Sequence, residues 1–316
     1  MVRRAFAQVG VGETDVQTTT RAGDEAVLTR RAIDDGATTI VAVGGDGTWS
    51  NVANALIRSQ ADCRLGLIAA GTGNDFAKSV GAPARDCIAT ARLAVDGSDC
   101  RVDVGRADDQ YFLNAIGFGF DVAVLEEAAR VRWLHGTLLY AYAALHQLFR
   151  YNGIDVAFDA ERTTRRLIFV VANGRWFGGA FQIAPGASCD DGLLDAVAVP
   201  EATGVERMRL FTSAVRGAHV RLSSVEIRQS RMFTLRFEVP PAYDTDGEYR
   251  QAQSNTVEIE CVPRVLRVVG ASLSAMAGRS GGALVPPSPA FTRSWPSGTA
   301  PDTVRERFRQ DRGTAR

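Results

Sequence analysis

Apolar residues in the N-terminal third of the chain form short β-branched runs that alternate with segments of helical spacing. The runs are typical of buried strands, and the other segments are typical of helices that bury one face. The predicted elements are a helix end at Arg3–Val9, a short strand at Asp15–Thr20, a helix at Asp24–Asp34, strands at Thr38–Val43 and Leu65–Ala70, and between these strands a helix with Val52, Leu56 and Ile57. This alternation predicts a parallel α/β domain up to Val95.

After Asp99 the pattern changes to runs of strands with turn signals between them, which predicts an antiparallel sandwich or mixed β domain. The predicted strands are Arg101–Val104, Gln110–Ala115, Arg166–Ala172, Phe181–Ala184, Leu193–Val199, Met232–Val239 and Thr256–Val262, interrupted by helical stretches at Asp121–Tyr151 and Val205–Gly217. From Ala277 the composition turns to Gly, Ser, Pro and Arg, which is typical of disorder. The predicted domains are therefore 1–98 (α/β), 99–276 (β-rich) and a tail at 277–316.

Composition excludes several classes of protein. The chain has 316 residues, 46% of them hydrophobic, with 36 basic and 36 acidic side chains, so two ordinary domains fit and a nucleic-acid partner is not expected. The five cysteines are scattered without a C-x-x-C pair, which argues against a disulfide scaffold or a zinc site and is typical of a reducing cytosol. Because there is neither a signal peptide nor a run of about 18 apolar residues, we expect a cytoplasmic protein whose membrane contact is peripheral.

Glycine-rich turns directly follow both N-terminal strands. The first, Gly44–Thr48, lies between a strand and a helix, a layout that presents free backbone N–H groups and a positive helix end to an anion. Its Asp46 would repel a phosphate unless a cation lay between them, so the turn predicts bound Mg²⁺; the alternative is a turn with an aspartate cap. The second turn is Gly71–Phe76, and both turns fall at carboxyl ends of parallel strands, where ligands bind in such sheets.

Five segments, in order and spacing, resemble the diacylglycerol kinase catalytic-domain family, which includes bacterial lipid kinases and sphingosine kinases. They are Gly44-Gly45-Asp46-Gly47-Thr48, Gly71-Thr72-Gly73-Asn74-Asp75-Phe76-Ala77-Lys78, Asn114-Ala115-Ile116-Gly117-Phe118-Gly119-Phe120-Asp121, Asp190-Asp191-Gly192-Leu193-Leu194-Asp195 and Asp246-Gly247-Glu248. NAD kinases and phosphofructokinases share the first motif, whereas the second favours the lipid-kinase branch. The resemblance implies an α/β nucleotide-binding domain, then a β-rich sandwich domain, with catalysis in the cleft between them.

The resemblance also implies a set of nucleotide-site residues. They are Thr19, Gly44, Gly45, Asp46, Gly47, Thr48, Thr72 and Asp75, with the glycines and Thr48 cradling phosphates, the other threonines lining the pocket, and Asp75 orienting Mg²⁺ or water. Ordinary turn or cap hydroxyls are the alternative for Thr19 and Thr72. Because the chain's only lysine is Lys78 and Ala77 precedes it, no G-x-x-x-x-G-K-[ST] loop exists, and turn amides with a metal ion must hold ATP.

The acidic triplet Asp246-Gly247-Glu248 is the predicted source of the catalytic base. Phosphoryl transfer to an alcohol requires a positioned hydroxyl and an acceptor for its proton, and in the family this triplet supplies it. Either Asp246 or Glu248 fits the role. From the three residues alone, a charged hairpin turn is the alternative, since Asp-Gly is a strong turn signal.

Two further sites follow from the resemblance and from apolar patterning. In bacterial relatives a Mg²⁺ ion is bound by an aspartate and two downstream carbonyls, which here are Asp191 and the carbonyls of Leu194 and Ala196; a helix cap or loop carboxylate is the alternative. Leu134–Phe149, read as a helix, has a wide apolar face. We expect a core helix there, and a wall of the cleft that a lipid tail enters is the alternative.

The chain departs from the family pattern in two places. Relatives open with a strand and an Asn-Pro-x-x-Gly turn that helps bind the nucleotide, and this sequence has no such turn. Either the start was assigned too late, which we expect, or an edge of the ATP pocket has been lost. In-frame translation of the DNA upstream of Met1 distinguishes the two. Asn51 stands where most relatives carry a glutamate.

The sequence thus predicts an ATP- and Mg²⁺-dependent kinase for a primary hydroxyl of a membrane lipid, diacylglycerol or a sphingoid base. Its predicted partners are ATP and that lipid, reached by peripheral contact with the inner face of the membrane; a homodimer is left open and no nucleic acid is expected. Two alternatives stay open. One is a soluble-substrate kinase of the NAD-kinase type, and the other is a degenerate member that binds nucleotide or lipid without turnover.

Overall fold

The structure, a computed structural model, describes residues 1–12, 15–21, 23–97, 99–131, 133–134, 136–159 and 161–272, so the predicted tail at 277–316 lies outside the described residues. The α-helices are α1 (Val2–Gln8), α2 (Asp24–Asp34), α3 (Asp46–Ser59), α4 (Asp75–Val80), α5 (Cys87–Asp96), α6 (Phe120–Arg130), α7 (Thr137–Arg150) and α8 (Gly204–Ala214), followed by a 3₁₀ turn at Ala218–Arg221. The strands are β1 (Thr39–Gly44), β2 (Arg64–Ala69), β3 (Asp99–Ala107), β4 (Gln110–Phe112), β5 (Ala115–Gly119), β6 (Ile154–Phe158), β7 (Thr164–Ala172), β8 (Leu194–Pro200), β9 (Glu226–Ser230), β10 (Met232–Arg236), β11 (Ala242–Thr245), β12 (Glu248–Gln251) and β13 (Thr256–Val269).

The N-terminal layer is a parallel α/β unit, as predicted. β1 pairs with β2 in parallel from Thr39↔Arg64 to Gly44↔Ala69. Helix α3 packs on this pair through Trp49, which is fully buried and donates its indole N–H to the carbonyl of Ala42 at 3.2 Å. The register brings the ends of β1 and β2 side by side, so the two glycine turns emerge at the same edge of the sheet.

The second half is an antiparallel β structure, which also agrees with the prediction. β5, β7, β8 and β9 pair in antiparallel order, and β11 pairs with β5 to carry the hairpin β11–β12. Phenylalanines dominate its core, with Phe118, Phe158, Phe169 and Phe233 packed together and buried. This sheet positions the β11–β12 hairpin and therefore the acidic triplet at its tip.

Strand β13 connects the two layers. It pairs with β3 in antiparallel fashion along both of its parts; its first part also pairs with β10 in antiparallel fashion, and its last part pairs with β2 in parallel, through Arg267↔Arg64 and Val268↔Leu65. The register shifts between Val262 and Leu266, where Arg264 has a φ of 52°. The Arg264 amide N–H donates to Oδ1 of Asp103 at 2.8 Å, so a β3 side chain holds this irregularity.

Two short predicted strands are wrong. Asp15–Thr20 forms no strand; instead the backbone N–H and the hydroxyl of Thr20 both donate to Oδ2 of Asp24 at 2.8 Å. Such local side-chain bonds compete with strand pairing. Phe181–Ala184 contributes only an isolated bridge, Phe177↔Phe181, because the segment between these residues turns back immediately.

The predicted long helical stretches are also shorter than expected. Asp121–Tyr151 divides into α6 and α7, with Val131 extended after α6 and Gly136 at a φ of 64° before α7. Val205–Gly217 ends as α8 at Ala214, ahead of Gly217 in the left-handed region. Among the described residues, no helix is both long enough and apolar enough to cross a bilayer.

Candidate active site

The two glycine turns touch each other through their backbones. A Cβ atom on Gly71 would lie 2.5 Å from Cα of Gly45, and one on Gly45 would lie 3.1 Å from Cα of Gly71. The N–H groups of Ala70 and Gly71 donate to the carbonyl of Gly44 at 2.7 and 3.2 Å. Glycine is therefore required by close backbone approach, and the turns form one continuous main-chain surface.

That surface includes the N-terminus of α3. The helix begins at Asp46 with Gly45 as its N-cap, and no side chain caps it. The first N–H groups of a helix have no partner within it, and they carry the positive end of the helix dipole. Thr48 packs directly on Gly44, where an added Cβ would lie 2.5 Å from Cβ of Thr48. The four predicted cradle residues thus lie together at an end suited to phosphate.

Asp46 and Asp75 form an acidic pair beside the second turn. Oδ1 of Asp46 accepts the N–H of Phe76 at 3.2 Å. Burial and then the charge of Asp75 raise the pKa of Asp46 to about 7, with a further contribution from Asp246. Asp75 is already bound, since Oδ1 accepts from Nζ of Lys78 at 2.8 Å and Oδ2 accepts from the N–H of Gly179 at 2.8 Å. Among the described residues, Asp75 therefore has a cationic side chain as its partner, and Asp46 does not.

A divalent cation fits Asp46 when phosphates share its coordination. In the part of the chain that the structure describes, no group of three or more His, Cys, Asp or Glu side chains is arranged to hold a metal ion by itself. Mg²⁺ is commonly bound by one or two carboxylates together with substrate phosphates and waters. Burial and then the charge of Asp75 raise the pKa of Asp46, and a bound cation would offset both effects by stabilising the ionised form. The residues present fit Mg²⁺ carried with a nucleotide.

The acidic triplet forms the β11–β12 turn, so the hairpin interpretation and the site interpretation are compatible. Asp246 and Gly247 have φ values of 51° and 86°, typical of a two-residue type I′ turn, and Thr245 pairs with Glu248. The carboxylate of Asp246 is buried and accepts three backbone N–H groups, from Leu113 at 2.7 Å, Asn114 at 2.9 Å and Ala115 at 3.3 Å. Asp246 therefore anchors the hairpin to the loop before β5.

Glu248 lies against the first glycine turn. A Cβ atom on Gly47 would lie 2.9 Å from Oε1 of Glu248. The carboxylate is held by two side chains: Nδ2 of Asn51 donates to Oε1 at 3.0 Å, and Nη2 of Arg250 donates to Oε2 at 2.9 Å. Burial raises the pKa of Glu248, and Arg250 and Asn51 oppose that shift. The structure thus brings the distal acid and the proximal cradle together.

The two predicted threonines lie on exposed segments. Thr19 is exposed in the segment that precedes α2. Thr72 is exposed in the second turn, between Gly71 and Gly73. Their contact with a nucleotide stays a prediction.

Asp191 lies at the turn before β8. Its Oδ1 accepts the N–H of Leu193 at 3.0 Å, and its Oδ2 accepts from Nε2 of Gln229 at 3.1 Å. Leu194 and Ala196 are buried residues of β8. Burial, with the charges of neighbouring aspartates, raises the pKa of Asp191, and burial and Asp191 raise the pKa of Asp195 to about 6. The Mg²⁺ assignment for Asp191, Leu194 and Ala196 stays a prediction.

Sequence reasoning missed a buried acidic pair behind the triplet, Asp121 and Asp244. Among the described residues, neither oxygen of Asp121 has a hydrogen-bond partner, nor does Oδ1 of Asp244. Burial raises the pKa of Asp121 to about 7, and burial followed by the charge of Asp121 raises the pKa of Asp244 well above its usual range. Spacing offered no signal for this pair, because Asp244 and Glu248 lie on opposite faces of the β11–β12 hairpin, in which Thr245 pairs with Glu248.

Comparison with known proteins agrees with this geometry. Residues 1–107 match the family described as Diacylglycerol kinase catalytic domain, and residues 114–270 match YegS C-terminal NAD kinase beta sandwich-like domain. A Mycobacterium tuberculosis protein (strain H37Rv) named Diacylglycerol kinase is 33% identical over 258 residues, which are 78% of this chain and 82% of the relative. A Xanthomonas euvesicatoria protein named Probable lipid kinase YegS-like is 32% identical over 271 residues, 81% of this chain and 86% of the relative. A solved diacylglycerol kinase from Bacillus anthracis str. Sterne shares the fold, with a TM-score of 0.68 at 22% identity over 86% of this chain and 90% of that chain.

Proposed function

This chain belongs to the diacylglycerol kinase catalytic-domain family, and from that premise we propose that it transfers the γ-phosphate of ATP to a hydroxyl of a membrane lipid, a diacylglycerol or a sphingoid base. One observation carries the proposal: Glu248 lies against Gly47 in the turn that suits phosphate. Phosphoryl transfer requires an in-line acceptor oxygen and a group that receives its proton. A carboxylate beside the phosphate cradle can receive this proton, and the lipid hydroxyl that it binds supplies the acceptor oxygen.

We assign the base to Glu248 and an anchoring role to Asp246. The oxygens of Asp246 already accept three backbone N–H groups, so its lone pairs are committed to holding the hairpin. Glu248 is held only by side chains and has a pKa raised by burial. A general base works best when its pKa approaches the operating pH, and such a group contributes about 10²–10⁴ in rate.

The nucleotide is proposed to bind across the two turns. Gly44, Gly45, Gly47 and Thr48 receive the phosphates at the start of α3, and Thr19 and Thr72 line the pocket. Asp46 holds Mg²⁺, which when bound offsets the negative charge on the phosphates. Asp75, fixed by Lys78 and Gly179, adds to the negative potential at Asp46 and so strengthens its attraction for the cation.

A second, structural Mg²⁺ is proposed at Asp191 with the carbonyls of Leu194 and Ala196. The support is the raised pKa of Asp191, which is caused first by burial and then by the charges of Asp103 and Asp190. A cation would relieve this repulsion and tie the start of β8 to its preceding turn. The expected result is a Mg²⁺-dependent rise in Tm that Asp191→Asn removes while the Mg²⁺ requirement of ATP binding is retained; an unchanged rise in the variant would contradict the assignment.

The lipid acceptor is proposed from the relatives that are named diacylglycerol kinase and lipid kinase. These names favour a lipid over a soluble acceptor such as NAD. A lipid acceptor places the enzyme in the cytoplasm, in peripheral contact with the inner face of the membrane, where ATP and the lipid are both present. Retention of Glu248 beside Gly47 favours turnover over a binding-only role.

Incubation of the full chain with labelled ATP and Mg²⁺ tests the proposal against diacylglycerol, a sphingoid base and NAD. We expect label in a lipid, a loss of kcat of about 10²–10⁴ for Glu248→Gln, and no comparable loss for the matched exposed control Glu238→Gln. ATP binding by Glu248→Gln is expected to persist. Label in NAD and in no lipid would overturn the lipid acceptor, and full activity of Glu248→Gln would overturn the assigned base.

A further inference from the structure

Helix α7 leaves one of its apolar faces uncovered. Leu138, Leu145 and Phe149 are 70%, 57% and 65% exposed, and Tyr142 lies on the same stripe, since these positions follow helical spacing. The opposite face packs inward through buried Leu139 and other residues. The prediction of a core helix therefore holds for one face of α7 only, and the outer face presents large apolar side chains to solvent.

The exposed stripe continues onto α8. The ring of Phe149 lies beside Gly204, where an added Cβ would be 3.1 Å away, and Val205 and Met208 on the outer side of α8 are exposed. Buried Arg207 fixes the two helices together. Its guanidinium donates to the carbonyls of Leu148 and Tyr151, each at 2.7 Å, and pairs with Glu201. We call the resulting surface the docking face: Leu138, Tyr142, Leu145, Phe149, Val205 and Met208.

The exposed charged residues around the docking face are mainly basic. α7 contains no acidic residue, and the one acid of α8, Glu206, accepts bonds from the N–H and hydroxyl of Thr203 in a capping box. Arg150, Arg209 and Arg216 are exposed on or directly after the two helices. In a chain whose net charge is zero, this is a local apolar surface bordered by positive charge.

The nearest acidic helix does not cancel this asymmetry. On α6, Glu127 is mostly buried and pairs with Nδ1 of His146 at 3.1 Å and with Nη1 of Arg130 at 3.8 Å. Gln147 of α7 also donates to it, at 3.2 Å. Glu126, half-buried on the same helix, is the other carboxylate close to this region. The exposed rim of the docking face is therefore dominated by arginine.

The inner side of α7 packs on α6, where Leu139 and Ala143 lie in one buried cluster with Ala128. Burial, and then the charge of Asp244, raises the pKa of Tyr140 on α7. Asp244 belongs to β11, the strand that leads into the turn with Asp246 and to Glu248. Helix α6 also contacts β11, so α7 is connected to this hairpin through α6.

We propose that the docking face binds the surface of an anionic lipid bilayer, with its apolar side chains at the boundary between headgroups and acyl chains and its arginines on lipid phosphates. The inference rests on the proposed function, because it explains how a lipid acceptor reaches the site. A second copy of the chain is the less suited occupant. In a two-fold contact the same arginine-bordered surface would face itself and bring like charges together.

Vesicle sedimentation without ATP tests the docking face separately from catalysis. The full chain is mixed with vesicles of neutral phosphatidylcholine alone or with an added anionic phospholipid. We expect binding only to the anionic vesicles and a loss of about tenfold or more for the double variant Leu138→Gln, Leu145→Gln. We expect about fivefold for each of Arg209→Gln and Arg216→Gln. Exposed apolar residues elsewhere supply the matched control, Val95→Gln with Val239→Gln, which should bind like the wild type.

The outcomes separate docking from kinase activity. Wild-type binding by the Leu138→Gln, Leu145→Gln variant would overturn the docking face even if a lipid is phosphorylated. Loss of binding in that variant would support it even if no lipid is phosphorylated, in which event only the proposed function fails. A wild-type dimer that becomes monomeric in this variant by light scattering would assign the face to a second copy and overturn the proposal. Equal binding to neutral and anionic vesicles would overturn the role of the arginines.

Discussion

The side-chain amide of Asn51 donates a 3.0 Å hydrogen bond to Oε1 of Glu248, a residue 197 positions later in the chain. Asn51 lies on α3, one turn after the phosphate cradle, whereas Glu248 begins β12. The bond therefore joins the nucleotide-binding unit to the proposed base. Together with Arg250 it favours the ionised form of Glu248 against the effect of burial.

Replacing Asn51 by aspartate should raise the pKa of Glu248, because a donor is exchanged for a second negative charge. In the pH profile of kcat/KM, we expect the acid limb to move to higher pH by about one unit. Asn255→Asp, at an exposed position, is the matched control and should leave the limb in place. If Asn51→Asp leaves the acid limb of the kcat/KM profile in place, Glu248 does not determine that limb.

Binding of Mg²⁺ with ATP should weaken as the pH falls below about 7. Asp46 has a pKa of about 7, raised first by burial and then by Asp75, and a cation binds only its ionised form. Protons therefore compete with the metal, and the affinity should fall by up to about tenfold per pH unit below that value. Calorimetric titration of Mg²⁺ and ATP from pH 5.5 to 8.5 measures this affinity. Wild type and variant are compared at the same pH, so that the protonation of ATP itself is the same for both. Asp46→Asn should lower the affinity and remove this part of the pH dependence; a wild-type profile in that variant would contradict the role of Asp46.

Substitution of Gly71 by alanine should impair nucleotide binding more than a change in side-chain volume alone would suggest. The new Cβ would lie 2.5 Å from Cα of Gly45, so the two turns must separate. We expect the Kd for ATP to rise by about tenfold or more, equivalent to roughly 1.4 kcal/mol. Gly186→Ala is the matched control, because nothing lies within 4 Å of its added Cβ. Equal affinities for the two variants would mean that the turns do not form the cradle together.

The sequence predicted those parts of the fold that local pattern determines. β1 and β2 are mostly apolar runs that lead into glycine-rich turns, and the structure contains both within a residue of the expected bounds. β9 and β12 were missed because Glu226–Ser230 and Glu248–Gln251 are mostly polar, so that pairing with β8 and with β11, rather than an apolar run, creates each strand. Asp15–Thr20 was wrongly predicted as a strand, because no strand among the described residues pairs with it.

Long-range contacts explain the rest of the difference. The last strand was predicted to end at Val262, yet β13 continues to Val269 because Asp103 holds the irregularity at Arg264. The proximity of Glu248 to Gly47 could be inferred only through the family resemblance. Burial of Asp244 without a partner for Oδ1 is a property of the packed sheet, so composition and spacing could not reveal it.

Asp244→Asn should stabilise the fold at high pH. The pKa of Asp244 is raised by burial and by neighbouring acids, so the folded chain holds this proton more tightly than the unfolded chain does. Its contribution to stability is fully present below the unfolded pKa, near 4, and is lost as the pH rises through the folded pKa. Asparagine keeps the shape without the charge and does not incur this loss.

Urea unfolding at pH 8 and pH 3.5 measures the effect. At pH 8 we expect the variant to exceed the wild type by at least about 1.4 kcal/mol, the free energy of one pKa unit, and at pH 3.5, below the unfolded pKa, the difference should nearly vanish. Asp96→Asn, at an exposed position on α5, should change neither value. A variant less stable than the wild type at pH 8 would mean that a cation or hydrogen-bond donor stabilises the ionised form. If the stabilised variant also loses lipid phosphorylation, the buried carboxylates of Asp244 and Asp121 serve the reaction on the acceptor side. A purely structural pair could be replaced without loss of activity.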